Sequence, residues 1–351
     1  MTLLDSKTYV SDIKKVSKLL EWLELPPNKT FFITGATGLI CSAVVDVLEE
    51  LSVSKNLNWT IFVAVRNLDT AKQRFSKYNS NIVYFAYDIL KPSSFPENID
   101  YFIHGAGNAY PSVISKYPVE TLTGSIYGLE QILHYAVEHK NTRVLYVSSS
   151  EVYGVLETNK PIKENEYGFV DILNPRSSYS IGKRAAESLC SSFISEFNAD
   201  CVIVRPGHIY GPTASKQDNR VSSAFMYSAA QGQNLVMKSK GEQIRSYCYC
   251  LDCASAIIVS LFLGETGEAY NISNKNSLCT INEMAEYFAK VGNVKLCFDL
   301  PSEREKNAFN PMLNSSLSSE KLESLGWEEF FSKEEGFEHS VAIIKELLKN
   351  A

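Results

Sequence analysis

Six short runs of β-branched and aromatic residues recur along this chain, at 30–34, 60–65, 82–87, 101–104, 144–148 and 202–205. Between them lie stretches whose apolar residues fall at helical spacing. A run such as Phe31-Phe32-Ile33 has no polar alternation, so it must be buried on both faces. Strands of that kind, alternating with helices, predict an α/β fold: a doubly wound parallel sheet covered by helices on both sides. The first crossover helix begins after Gly38 and buries Ile40, Val44, Val47, Leu48 and Leu51. Two longer helices are predicted at 118–139 and 179–197.

The flanking regions read differently. Ile13, Val16, Leu19, Leu20 and Leu23 predict a helix over 11–25, with Ser11 as N-cap and Pro26-Pro27 as its end. Residues 1–28 are therefore an N-terminal helical extension. Past Arg205 the pattern loosens. A turn at Gly211-Pro212-Thr213 precedes a short helix at 225–232, a strand at 246–249 and helices at 254–263, 281–290 and 334–349. The expected division is a dinucleotide-binding domain over 29–205 and a smaller C-terminal lobe over 206–351, with 245–263 returning to the first domain. A length of 351 residues suits one large domain or two fused ones.

Composition excludes several classes. Apolar residues make up 45% and charged residues 21%, which is globular rather than disordered. With 34 Lys and Arg against 40 Asp and Glu, the formal charge is −6. Such a surface does not suit non-specific nucleic-acid binding. No apolar stretch reaches the length of a membrane span. Residues 1–10 carry Asp5 and Lys7 and lack the apolar core of a secretory signal, so a soluble, cytoplasmic protein with reduced thiols is expected. Cys248, Cys250 and Cys253 include one C-x-x-C pair, but no second knuckle accompanies it. They read as buried small hydrophobes, and no metal site is predicted.

The chemistry begins at Gly35-Ala36-Thr37-Gly38-Leu39-Ile40, between the first strand and the first helix. Gly35 permits a tight turn, and Gly38 lets backbone N–H groups approach a pyrophosphate at a helix N-terminus. Thr37, Gly38, Leu39 and Ile40 are the expected contacts. Cys41 stands at the third small position. Strand, turn and helix in this order identify a dinucleotide site. Arg66, after the second strand, can pair a 2′-phosphate or stack on adenine; Asp88 and Ile89, after the third, are placed at the adenine. NAD is the expected cofactor, with NADP left open.

Tyr179 and Lys183 stand one helical turn apart on one face. An ammonium close to a phenol favours the phenolate, so Tyr179 is a candidate base at neutral pH. Ser149-Ser150-Glu151 follows the strand at 144–148, and the C-termini of such strands are where open α/β sheets bind ligands. Ser149 can hydrogen-bond the oxygen that Tyr179 deprotonates, and Glu151 adds a second proton-transfer group.

Together, Gly35-x-x-Gly38, Ser149-Ser150-Glu151-Val-Tyr-Gly154, Tyr179-x-x-x-Lys183, Arg205-Pro-x-x-x-Tyr-Gly-Pro212 and Arg245-Ser-Tyr resemble the extended short-chain dehydrogenase/reductases of the NAD-dependent epimerase/dehydratase family. The resemblance runs from about Lys29 to Trp327. Pro175-Arg176-Ser-Ser-Tyr179 and Asp218-Asn-Arg220-Val-x-Ser-x-Phe225 are most similar to the UDP-glucuronate decarboxylases. The resemblance implies an NAD(P)-binding Rossmann-type domain, a small lobe that binds a nucleotide-diphosphate sugar, and a homodimer built through two helices per subunit. It also implies Lys183 on the nicotinamide ribose, and His208, Arg220 and Arg245 on the substrate. His208 stands where the family usually has Asn, Ser180-Ile181 replaces an Asp-Glu pair, and Arg66 replaces an NAD-selecting Asp.

The implied reaction takes hydride from sugar C4 while Tyr179 takes the 4-hydroxyl proton, leaving a 4-keto sugar held by Ser149. A carboxylate at C6 then leaves as CO₂ and the hydride returns to C4; with a hydroxymethyl there, Glu151 removes the C5 proton and water leaves. C4 epimerisation is the nearest variant. An NADPH-dependent carbonyl reductase, suggested by Arg66, and a non-catalytic dinucleotide sensor are the other readings.

Overall fold

The computed structural model describes residues 2–78, 81–299 and 312–349. Residues 300–311 of the C-terminal lobe, and 350–351, lie outside the described residues, as do Met1, Asn79 and Ser80. The first six strands are β1 (Thr30–Thr34), β2 (Thr60–Val65), β3 (Ile82–Ala86), β4 (Tyr101–His104), β5 (Arg143–Val147) and β6 (Asp200–Pro206). Three short strands follow, β7 (His208–Tyr210), β8 (Leu235–Met237) and β9 (Ile244–Tyr249). Then β10 (Ala269–Ile272) joins the main sheet. The sheet runs β10-β6-β5-β4-β1-β2-β3, and every pair in it is parallel.

Alternation along β1 shows why both faces are apolar. Phe31 and Ile33 enter one core and Phe32 enters the other, and all three are fully buried. An N-terminal helix, α1 (Lys7–Leu19), precedes the sheet. The crossover helices are α2 (Leu39–Ser54), α3 (Leu68–Arg74), α4 (Pro111–Lys116), α5 (Pro118–Glu138) and α6 (Ser178–Phe197). They are followed by α7 (Val221–Ala230), α8 (Cys250–Leu263) and α9 (Ile281–Gly292). Helices α2 and α8 pack together over the first core, and α5 packs on α6 over the second. Burying a Phe side chain contributes about 1.5–3 kcal/mol, so each face of β1 alone anchors its layer firmly.

β10 was not visible as a strand, because Asn271 interrupts its apolar run. The buried Asn271 carboxamide is fully engaged. Its Oδ1 accepts from Tyr153 Oη at 2.5 Å, and its Nδ2 donates to the Ile162 and Ser318 carbonyls at 3.0 Å. A polar residue is tolerated there because every group finds a partner.

The N-terminal helix departs from expectation. It starts earlier, capped by Ser6, whose Oγ accepts from the Tyr9 N–H at 3.1 Å, so Ser11 lies inside the helix. It stops at Leu19, well before Pro26, so the prolines do not terminate it. The earlier start turns Tyr9, Ile13 and Val16 inward as one stripe.

A second sheet runs β11-β9-β7, with β11 (Leu278–Thr280) antiparallel and β7 parallel to the central β9, so the strand at 244–249 joins this sheet and not the main one; β12 (Leu296–Phe298) pairs with β8. Helix α9 opens on a reciprocal cap between Thr280 and Glu283, an arrangement that contributes about 1 kcal/mol.

The extension is tied to the C-terminal helix Lys333–Lys349 through buried Asp12. His339 Nδ1 lies 2.9 Å from Asp12 Oδ1, and Tyr249 Oη donates to Asp12 Oδ2 at 3.1 Å. The Asp12 carboxylate raises the His339 pKa. A folded pKa above the unfolded one contributes stability that is complete below the unfolded value of about 6.5 and is lost as pH rises through the folded value. His339→Gln should therefore lower the melting temperature at about pH 5.5 and much less at about pH 9. An equal loss at both pH values in a thermal-melt series would refute this.

Candidate functional site

The turn after β1 is built for close approach. Gly35 sits at φ +67°, and a Cβ there would lie 2.9 Å from the Ala106 backbone. Gly38 N–H donates to the Gly35 carbonyl at 2.8 Å and serves as N-cap of α2. No side chain caps that helix. The first-turn N–H groups, at Leu39 and Ile40, are thereby left to an anion. Cys41, in the third small position, is fully buried, and its thiol is pushed up to about 12 by burial. It fits because Gly105, at the tip of β4, has no side chain: a Cβ there would overlap the Cys41 sulfur. Gly105→Ala should therefore destabilise the fold by roughly 1–3 kcal/mol, and Cys41→Gly in the same chain should recover part of the loss. Purely additive losses in a denaturation double-mutant cycle would show that the two positions do not compensate.

A residue the sequence reading missed joins these tips. His104 ends β4, with Nδ1 2.8 Å from Thr34 Oγ1, and the same Oγ1 accepts from Ala106 N–H at 3.1 Å. Burial, reinforced by Lys183, pushes His104 down to about 3, so it is neutral. Its position at a strand C-terminus was the available signal.

Helix α6 carries the Tyr-Lys pair. A short turn at Pro175–Ser177 leads into it, with the Asn174 side chain accepting from Arg176 N–H at 3.0 Å. Lys183 is buried, donates to the Val147 carbonyl at 2.7 Å, and sits 4.7 Å over the Tyr146 ring. Its ammonium is 5.9 Å from the Tyr179 ring centroid. Burial brings Lys183 down to about 8, against the opposing charge of Glu187.

Tyr179 differs from the sequence-based expectation. Burial raises its pKa, and Glu151 raises it further; a hydrogen bond with Ser149 and the charge of Arg220 oppose them. Desolvation outweighs the favourable charges because a phenolate is costly to hold where protein packing displaces water. Ser149 and Tyr179 are thus brought together. Ser149 Oγ also accepts from Glu151 N–H at 3.2 Å, opening the turn Ser150–Tyr153. Ser180 Oγ donates to Glu151 Oε2 at 3.3 Å, which attaches the carboxylate to the first turn of α6. Ser180, one of the departures from the decarboxylase pattern, holds Glu151 in place. Ser150 is half-buried at the start of that turn.

His208, Arg220 and Arg245 form one cluster, and Arg220 also acts on Tyr179. Burial, then the charges of Arg245 and Arg220, push His208 down to about 3, and its Nε2 lies 2.9 Å from Ser315 Oγ. Arg220 is paired with Asp218 and lies 5.7 Å over the Tyr110 ring. Arg245 is almost wholly buried; its Nη1 donates to the Ile244 carbonyl at 2.8 Å and to Met312 at 3.3 Å. These backbone bonds hold the guanidinium in place.

Arg66, Asp88 and Ile89 lie at the tips of β2 and β3. Arg66 is exposed, 3.9 Å from Glu120 on the first turn of α5. Asp88 Oδ1 accepts from Leu90 N–H at 3.1 Å, and Ile89 packs against Gly124 and Gly128. An uncapped helix N-terminus, a tight turn bounded by Gly35 and Gly38, and a buried lysine fit a dinucleotide laid across the β1 and β4 tips. Cys248, Cys250 and Cys253 lie elsewhere, fully buried at the β9–α8 junction.

Among the described residues, no helix is long and apolar enough to cross a membrane. The chain is 29% identical over 312 residues to UDP-glucuronic acid decarboxylase 3 of Arabidopsis thaliana, covering 88% of this chain and 87% of that one. It is 28% identical to a trifunctional UDP-glucose 4,6-dehydratase of the same plant, covering 89% of this chain but 46% of that longer protein. Its fold matches that of epimerase Mth375 from Methanothermobacter thermautotrophicus, with a TM-score of 0.81, 19% identity and 97% coverage of both chains. It also matches UDP-glucuronic acid 4-epimerase from Bacillus cereus, solved with UDP-glucuronic acid and NAD, at a TM-score of 0.76 and 20% identity over 91% of this chain and 99% of that one. The model of the NAD dependent epimerase/dehydratase family matches residues 31–273, well over half of the chain, and the chain belongs to that family.

Proposed function

We propose that this chain is a redox-neutral enzyme acting on a nucleotide-diphosphate sugar through a 4-keto intermediate, by decarboxylation of a UDP-glucuronate-like substrate or by 4,6-dehydration. The observation that carries the proposal is the joining of Ser149, Glu151 and Tyr179 at the β5 tip, with Lys183 beneath them. Gly35, Thr37, Gly38, Leu39, Ile40, Arg66, Asp88, Ile89 and Lys183 hold the dinucleotide. Bound NAD supplies a reversible hydride acceptor. Tyr179 takes the proton from the sugar hydroxyl, and Ser149 donates to the resulting carbonyl oxygen. Glu151 handles the proton at C5. Arg220 and Arg245 face the diphosphate, a group suited to guanidinium forks. The decarboxylase and dehydratase relatives support the same reading.

C4 epimerisation is the second reading. A carboxylate anchored beside the base, through Ser180, favours chemistry at C5 over simple epimerisation. Incubation with UDP-glucuronate and with nucleotide hexoses, followed by mass analysis, separates the three. Loss of CO₂ or of water supports the proposal. Conversion without mass change assigns an epimerase, and stoichiometric consumption of NADPH would overturn both in favour of a reductase. We further propose a cytoplasmic homodimer. All eight cysteines are free thiols, and seven of them are buried. Light scattering at micromolar concentration checks the assembly.

A further inference from the structure

We infer that Glu187 is a positioning residue: its carboxylate, locked by Ser148 and Arg205, keeps Lys183 charged beside Tyr179. The inference rests on the proposed Tyr179–Lys183 base pair and adds a residue to it. Glu187 follows Lys183 by one turn of α6, on the same face. It accepts from Ser148 Oγ at 2.5 Å, from Arg205 Nε at 3.0 Å and from Arg205 Nη2 at 2.7 Å. Ser148 directly follows β5, and Arg205 lies on β6, so three elements converge on one carboxylate. Arg205 is itself fixed by Tyr153 Oη, Tyr167 Oη and the Glu164 carbonyl.

Charge makes this arrangement more than a brace. Lys183 and Arg205 are two buried cations. The groups facing Lys183 are Tyr179, Glu187 and Cys190 on α6, Cys41 on α2, His104 on β4 and Tyr146 on β5. Burial keeps the Cys41 thiol, the Tyr146 phenol and the His104 imidazole neutral, and a hydrogen bond with Cys201 together with burial does the same for Cys190. Among the described groups acting on Lys183, Glu187 is the one carboxylate. Neutralising it leaves two buried cations uncompensated. A guanidinium does not deprotonate in proteins, so Lys183 loses its proton instead. A neutral amine no longer stabilises the Tyr179 phenolate.

The test is the pH dependence of kcat/KM for Glu187→Gln, Glu187→Asp and wild type, each saturated with NAD. In Glu187→Gln the alkaline limb should move to lower pH, with activity at about pH 8 falling at least tenfold further than at about pH 6.5. Glu187→Asp keeps the charge, so its limbs should stay near wild type even if its rate is lower. If Glu187→Gln does not fold, Glu187→Ala removes the same charge with a smaller side chain and should move the same limb in the same direction. Unshifted limbs, with a loss uniform across pH, would reduce Glu187 to a structural brace and overturn the inference. Wild-type turnover in Tyr179→Phe would instead defeat the base assignment itself, so the two failures are distinguishable.

Discussion

Tyr179→Phe should abolish turnover while leaving a folded protein that still binds NAD. A positioned acid or base contributes about 10²–10⁴-fold, so the loss should be roughly 10³-fold or more, about 4 kcal/mol of transition-state stabilisation. The phenol is half-buried, and its hydroxyl is paired with Ser149. Its removal costs one hydrogen bond, about 1 kcal/mol, so the melting temperature should barely move. The Lys183 ammonium stays in place, held by the Val147 carbonyl. Single-turnover kinetics with the active substrate, alongside a thermal melt, checks both halves. Residual activity within about tenfold of wild type would mean that another group is the base; Glu151 would be the first to examine.

Gly35→Ala should remove dinucleotide binding with little effect on the rest of the fold. Two costs combine. An L-residue at φ +67° costs about 1–2 kcal/mol. The new Cβ would also press on the Ala106 and Gly105 backbone at 2.9 Å, and backbone cannot swing aside as a flexible side chain can. The turn must open, and the N–H groups of α2 then no longer converge on one pyrophosphate. A rise of at least about 100-fold in the NAD dissociation constant is expected, equivalent to about 2.7 kcal/mol. Titration calorimetry measures it directly. Unchanged affinity would show that the dinucleotide is held elsewhere than over this turn.

The alkaline behaviour of the site follows from the same balance of burial and charge. Lys183 is brought down to about 8 by desolvation. If its ammonium is required, wild-type kcat/KM should fall above about pH 8, and added salt should change this limb little because the pair is shielded from solvent. An alkaline limb near the ordinary lysine value would show that Lys183 is more solvated in the working enzyme.

The sequence by itself determined the layered parallel sheet, the tight turn at Gly35–Gly38 and the i, i+4 relation of Tyr179 to Lys183. Each is local: it depends on residues within a few positions, through side-chain period, backbone freedom and helical pitch. The tertiary structure alone decided that Gly105 makes room for Cys41, that His104 joins the strand tips, and that Ser148, Glu187 and Arg205 meet. It also decided that β10 completes the sheet and that α1 begins at Lys7. These contacts join residues tens of positions apart, and no local period encodes which distant partner fills a volume or balances a buried charge. The same limit explains Tyr179. Spacing places a cation close to the phenol, but only the tertiary packing around it sets desolvation, and there desolvation is the larger effect.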